Sequence, residues 1–136
     1  MNIVVGYLPT SEGSAALEHA LSLARRDGGR LVVVNAGHRG DNADPSFASA
    51  QDLDAIEAEL DDAGVDHEVR QSTTQLSAAE AIIETASDVA ADLIVIGLRR
   101  RSPVGKMITG STAQAVLLDA SCPVLAVKAG QPTLAL

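Results

Sequence analysis

At 136 residues, with a formal net charge of −8 and the single cysteine Cys122, the chain has the length of one domain and no partner for an internal disulfide, which fits a reducing compartment. The acidic balance and the scarcity of aromatics, Tyr7 and Phe47 alone, count against a general nucleic-acid binder and against base stacking on single strands. MNIVVGY carries no basic segment ahead of a long apolar run, and no apolar run approaches the ~18 residues of a membrane span, so neither a signal peptide nor a transmembrane helix is expected and the expected location is cytoplasmic.

In chain order, Asn2–Tyr7 is a β-branched run of the kind found in buried strands. The following SEGSAALEHALSLARRDGG places Ala16, Leu17, Ala20, Leu21 and Ala24 on one helical face, with Thr10 or Ser11 as cap and Gly28-Gly29 as stop. Leu31–Ala36 is a second apolar strand, and Gly37–Ser46 a polar loop. A helix is predicted from about Phe47 to Ala63, with Leu53, Ile56, Leu60 and Ala63 inward and Gly64 as its end. Val65–Ser72 alternates apolar with polar residues and reads as an edge strand. Ser77 and Glu80 form a capping box for a helix carrying Ile82, Ile83, Ala86, Val89 and Ala90 inward. Asp92–Gly97 is the fourth strand and reads as the most uniformly buried. Ser111–Ala120 is a helix with Ala113, Val116, Leu117 and Ala120 inward, and Pro123–Val127 is a fifth strand.

The alternation predicts a single α/β domain over residues 1–128, followed by a short tail, 129–136: three layers, with a five-stranded parallel sheet covered by helices on both faces. The winding is expected to reverse between the first and fourth strands, giving order 3-2-1-4-5. The ligand crevice then lies beyond their carboxyl ends, between the loops Tyr7–Ser11 and Gly97–Gly110.

Charge is unevenly spread: ten of the eighteen acids fall between Asp41 and Glu68, and four of the ten basic residues between Arg99 and Lys106. The basic loop leads into Gly110-Ser111-Thr112 at a helix start. Such a start offers backbone N–H groups, the positive end of the helix dipole and two hydroxyls, while Arg99, Arg100, Arg101 and Lys106 add charge-assisted donors. The plainer reading is a solvated loop ahead of an ordinary helix cap. A Walker A loop does not fit, because Arg100 stands where its first glycine belongs and Met107 follows Lys106. The G-x-G-x-x-G spacing is also absent after the first strand.

The element order, the first-strand loop, PVLAVK and above all GLRRRSPVGKMITGST resemble the universal stress protein family, from Asn2 to Lys128. The resemblance implies an adenine nucleotide alpha hydrolase-like fold. In its nucleotide-binding branch, G-x-x-G, nine residues and G-[ST] hold phosphates. Gly97, Gly110 and Ser111 match, and Arg100 replaces the middle glycine. The family's V-D-G-S after the first strand is here Tyr7-Leu8-Pro9-Thr10, so Leu8 replaces the aspartate near the adenosine. The implied ligand is ATP, with or without Mg²⁺, or a related adenine nucleotide. Its implied contacts are Tyr7, Leu8, Pro9, Thr10, Ala36, Ile96, Gly97, Arg99, Arg100, Gly110, Ser111 and Thr112. The resemblance also implies a homodimer through the last strand, Pro123–Val127. The alternative is an interaction module of the same fold that has lost the ligand.

His19, His38 and His67 share no metal-ligand spacing, and His19 and His67 are expected at the surface. Asp41, Asn42 and Asp44 match a calcium loop only loosely. No Ser-His-Asp order and no dedicated base near the crevice is found, so no enzyme activity is expected beyond slow or incidental ATP hydrolysis.

Overall fold

The computed structural model describes residues 1–35, 50–71, 76–98 and 110–130. Strands and helices alternate through it: β1 (Asn2–Tyr7), α1 (Ser11–Asp27), β2 (Arg30–Asn35), α2 (Ala50–Ala63), β3 (His67–Gln71), α3 (Ala78–Asp88), β4 (Leu93–Leu98), α4 (Ser111–Asp119) and β5 (Val124–Lys128). The strands are parallel and hydrogen-bonded in the order β3-β2-β1-β4-β5. This is the three-layer architecture expected from the alternation.

The central strands are apolar on both sides because helices cover both. Ile3, Val5 and Tyr7 of β1 join α1 and α2 in one core, which also takes Leu31, Val33, Leu53 and Ile56. Val4 faces the other way, into a core with α3 and α4 built on Val32, Ile82, Ile94 and Val116. The register sets Val5 beside both Val33 and Val95, so β-branched side chains stack across the middle of the sheet.

Local signals fix the helix ends. Thr10 is the α1 cap, its Oγ1 accepting from the Gly13 N–H at 3.1 Å. Gly28 ends the helix at φ +64°, where its missing Cβ removes the penalty of the left-handed region. The capping box of α3 is present: Ser77 Oγ accepts from the Glu80 N–H at 3.1 Å, and Glu80 Oε1 accepts from the Ser77 N–H at 3.4 Å.

Several sequence expectations are corrected. β4 is not the most buried strand: Leu93, Gly97 and Leu98 are half-buried, whereas all of β1 and β2 beyond the first residue is buried. The far end of β4 opens toward the crevice. His19 is 5% exposed and donates from Nδ1 to the Ala15 carbonyl at 2.9 Å. The reason is that α1 packs against β1, β2, β4 and β5, so its buried stripe is wide. His67 is half-buried, with Nδ1 donating to the Val65 carbonyl at 2.7 Å and Nε2 3.4 Å from Asp61. Leu117 points outward, 46% exposed, because the short α4 seats Ala113 and Val116 instead. Ala90 is exposed at φ +52°, past the end of α3. The expected starts of β2 and β3 shift to Arg30 and His67, while Ala36, residues 47–49 and Ser72 lie outside the described residues.

Two glycines let α1 settle onto the sheet. A Cβ on Gly97 would sit 2.7 Å from the Glu12 carbonyl carbon and 3.0 Å from Glu12 Cβ. A Cβ on Gly13 would sit 2.8 Å from the backbone nitrogen of Leu8. Both obstacles are backbone, which cannot rotate aside. Gly97→Ala should therefore displace the first turn of α1 and cost about 1–3 kcal/mol, as overpacking does. Urea unfolding checks it, and an unchanged midpoint would remove the close-packing account.

At the β3 edge, Glu68 accepts from Arg30 Nη2 at 3.1 Å and from Arg70 Nε. These two guanidiniums hold the Glu68 carboxyl below the usual carboxylate range. A lowered folded pKa adds stability above the ordinary range, and that stability is lost as pH falls through the lowered value. The site is solvent-screened, so Glu68→Gln should cost no more than about 0.5 kcal/mol at neutral pH. It should also flatten the acid limb of a Tm-against-pH profile. A variant profile parallel to the parent's there would refute the pairing.

Candidate functional site

A cavity of about 300 Å³ opens at the carboxyl ends of β1 and β4. Its place follows from topology. The chain leaves β1 for β2 on one side, while β4 lies on the other, so the loops after these two strands part and leave a crevice. Gly6 and Ile96 form the floor together with Ile82 of α3. Leu8 and the first turn of α1, Glu12 and Gly13, make one wall. Gly97 and the start of α4, Gly110 to Ala113, make another.

The two helix starts differ. Thr10 caps α1 with its own hydroxyl, and thereby satisfies the Gly13 N–H. The α4 start has Gly110 at φ +65° and ψ +140°, and no side-chain hydrogen bond caps it. That backbone conformation is close to glycine-only territory. The wall at α4 thus carries first-turn N–H groups, the positive end of a helix dipole and the Ser111 and Thr112 hydroxyls. It is the wall suited to an anion. Opposite it, Leu8 offers only apolar surface. Glu12 is the one ionisable side chain among the described lining residues, and Ser11 Oγ donates to its Oε2 at 3.4 Å.

Of the residues singled out from the sequence, the cavity brings together Leu8, Ile96, Gly97, Gly110, Ser111 and Thr112. Tyr7 does not line it. Its ring lies in the core on the opposite sheet face, where burial and the Asp52 charge raise its phenol pKa and Ser14 hydrogen-bonds to it. Pro9 is half-buried away from the lining, and Thr10 serves the helix cap. Ala36, Arg99, Arg100 and His38 lie outside the described residues. Sequence reasoning missed Glu12, Gly13, Gly6, Ile82 and Ala113. Glu12 and Gly13 had a usable signal, since a helix leaving a crevice loop turns its first residues back toward that crevice. Ile82 had none, because its reach depends on how α3 crosses the sheet.

Other chemistry is sparse. Among the described residues no three His, Cys, Asp or Glu side chains gather as a metal site. Cys122 is half-buried, and burial, followed by the Asp92 charge, pushes its thiol pKa up, which suits packing rather than nucleophilic attack. No helix among the described residues is long and apolar enough to cross a membrane.

Comparisons with known proteins agree with this fold. The model of the "Universal stress protein family" matches residues 1–128. A protein of Mycolicibacterium smegmatis named universal stress protein is 42% identical over 126 residues, covering 93% of this chain and 96% of its own. A solved universal stress protein of Archaeoglobus fulgidus superposes with a TM-score of 0.76 at 30% identity, covering 93% of this chain and 97% of its own. A second structure from that organism, solved in complex with dAMP, superposes with a TM-score of 0.62 at 23% identity over 93% of this chain and 96% of its own. On the family match along 128 residues and the identity to its relatives, the chain belongs to the universal stress protein family.

Proposed function

We propose that this protein binds ATP or a related adenine nucleotide in the cavity between β1 and β4, as a small cytoplasmic regulatory dimer. The observation that carries the reading is the α4 start. Gly110, Ser111 and Thr112 present a glycine-opened helix N-terminus and two hydroxyls to a cavity at the sheet's reversal point. The phosphates lie there, joined by Arg99 and Arg100 from the loop that links Leu98 to Gly110 in the sequence. The nucleoside lies over Leu8, Ile82 and Ile96. The dAMP-bound relative supports the ligand class.

Binding acts through occupancy of the loop, which changes the surface offered to a partner. Dimerisation uses β5, an apolar strand at the sheet edge. Among the described lining residues Glu12 is the one ionisable side chain, and its carboxylate accepts from the Ser11 hydroxyl, so this reading gives hydrolysis at most a slow or incidental part. A second reading, an interaction module without a ligand, is favoured by one observation: Leu8 faces the cavity with no hydrogen-bonding group.

Calorimetric titration of nucleotide-stripped protein with ATP and AMP decides between the two. One ligand per chain at micromolar dissociation constants, roughly −8 kcal/mol, is expected. Replacing Ser111 and Thr112 together by alanine should weaken binding about tenfold or more. No heat and no thermal shift at millimolar nucleotide would favour the interaction module.

A further inference from the structure

We propose, resting on the nucleotide reading above, that the contact between Gly6 and Ile82 sets the depth of the cavity and so selects a purine over a pyrimidine base. Both residues line the cavity, Gly6 from β1 and Ile82 from α3. Gly6 lies inside a strand and is not one of the positive-φ glycines, so its backbone conformation does not call for glycine. Glycine within a strand weakens it and marks a close approach by another group. Ile82 makes that approach. A Cβ on Gly6 would lie 2.6 Å from Ile82 Cδ1 and 3.3 Å from its Cγ1. The next nearest atom, Ile96 Cγ2, would be 3.6 Å away, an ordinary contact. The end of Ile82 therefore occupies the space that a side chain at position 6 would fill.

Leu8, Ile96 and Ala113 line the cavity beside this pair, and none of the five has a hydrogen-bonding side chain. A base seated over them is held by apolar area and by fit. A two-ring purine covers more of that surface than a one-ring pyrimidine, and it needs more depth. The depth has little slack. Ile82 is 1% exposed and packs in one core with Val4, Val32, Ile94 and Val116, all buried. An interior packed to that density has no room behind it, so a group displaced at Gly6 yields toward the cavity. Ile82 also fits a plain core role. The two roles separate in binding, because core packing alone changes stability without distinguishing one base from another. Whatever holds the phosphates is common to two triphosphates and cancels when they are compared.

ATP and CTP are titrated into the parent, Gly6→Ala, Ile82→Val and the double variant, with matched thermal melts to establish that each is folded. Gly6→Ala adds the missing Cβ and makes the cavity shallower. It should weaken ATP about tenfold and CTP no more than about twofold, as overpacking falls on the larger base. Ile82→Val removes Cδ1 and alone should keep ATP within about threefold of the parent. In the double variant the new Cβ takes the space that Cδ1 leaves, so ATP affinity and the ATP-to-CTP ratio should return to within about twofold of the parent. ATP affinity unchanged in Gly6→Ala, or an equal loss for ATP and CTP, overturns the proposal while leaving the nucleotide reading standing. So does a double variant that recovers its melting temperature but not its ATP affinity. Binding of neither nucleotide to the parent overturns both.

Discussion

The close seating of α1 on the end of β4 is the contact on which the site depends. It requires two positions without a Cβ, Gly97 beneath Glu12 and Gly13 beside the Leu8 backbone. With both in place, the first turn of α1 comes down to the carboxyl edge of the sheet and becomes a wall of the crevice. The same seating turns Leu8 toward the cavity and leaves Thr10 to cap its own helix. Gly97 thus has a structural reason to be glycine before any ligand is considered. In a chain of this fold, a glycine at the start of the basic loop is weaker support for phosphate binding than the α4 start, where the missing side-chain cap and the positive φ have no packing explanation.

The two helix starts at the crevice divide the work. One is closed by a hydroxyl of its own chain, and the other keeps its donors facing the cavity. With Leu8 and the self-capped helix start on the closed side, and an uncapped start with two hydroxyls on the open side, the cavity has one mainly apolar wall and one polar wall. The opposite end of the sheet has the reverse character. There α1 ends at Gly28, after Arg25 and Arg26 in its last turn, and the positive φ of Gly64 follows α2. Cationic side chains complement helix ends of that sign.

The fold was legible in the sequence because both its signals are short-range. Strands buried on two faces read as unbroken β-branched runs, and helix ends carry Thr10, Gly28, Gly64 and the Ser77–Glu80 box. What failed was what depends on packing at a distance. Periodicity could not tell that the short α4 would leave Leu117 outside, nor that α1 would bury His19. The site was half legible. Residues next to a glycine or a helix start, such as Gly97 and Ser111, do line the cavity, as does Leu8. Tyr7 was misplaced because neighbours on a strand face opposite sides, so adjacency in the chain to Leu8 carried its ring into the other core. Ile82 reaches the cavity from a helix far away in sequence, and no local pattern announces it.

The two borders of the sheet have different chemistry, and this governs how far copies of the chain can add to one another. β3 carries a lattice of ions, with Arg30, Glu68, Arg70 and Asp88 linked across it. β5 is VLAVK, mostly apolar. A strand docking on β3 would have to desolvate those charges, whereas one docking on β5 would cover hydrocarbon. Two molecules meeting along β5 by a two-fold axis use up the receptive border of each and turn a charged border outward at both ends. In the proposed dimer, further strand addition would then have to begin at that charged border, against the cost of desolvating it.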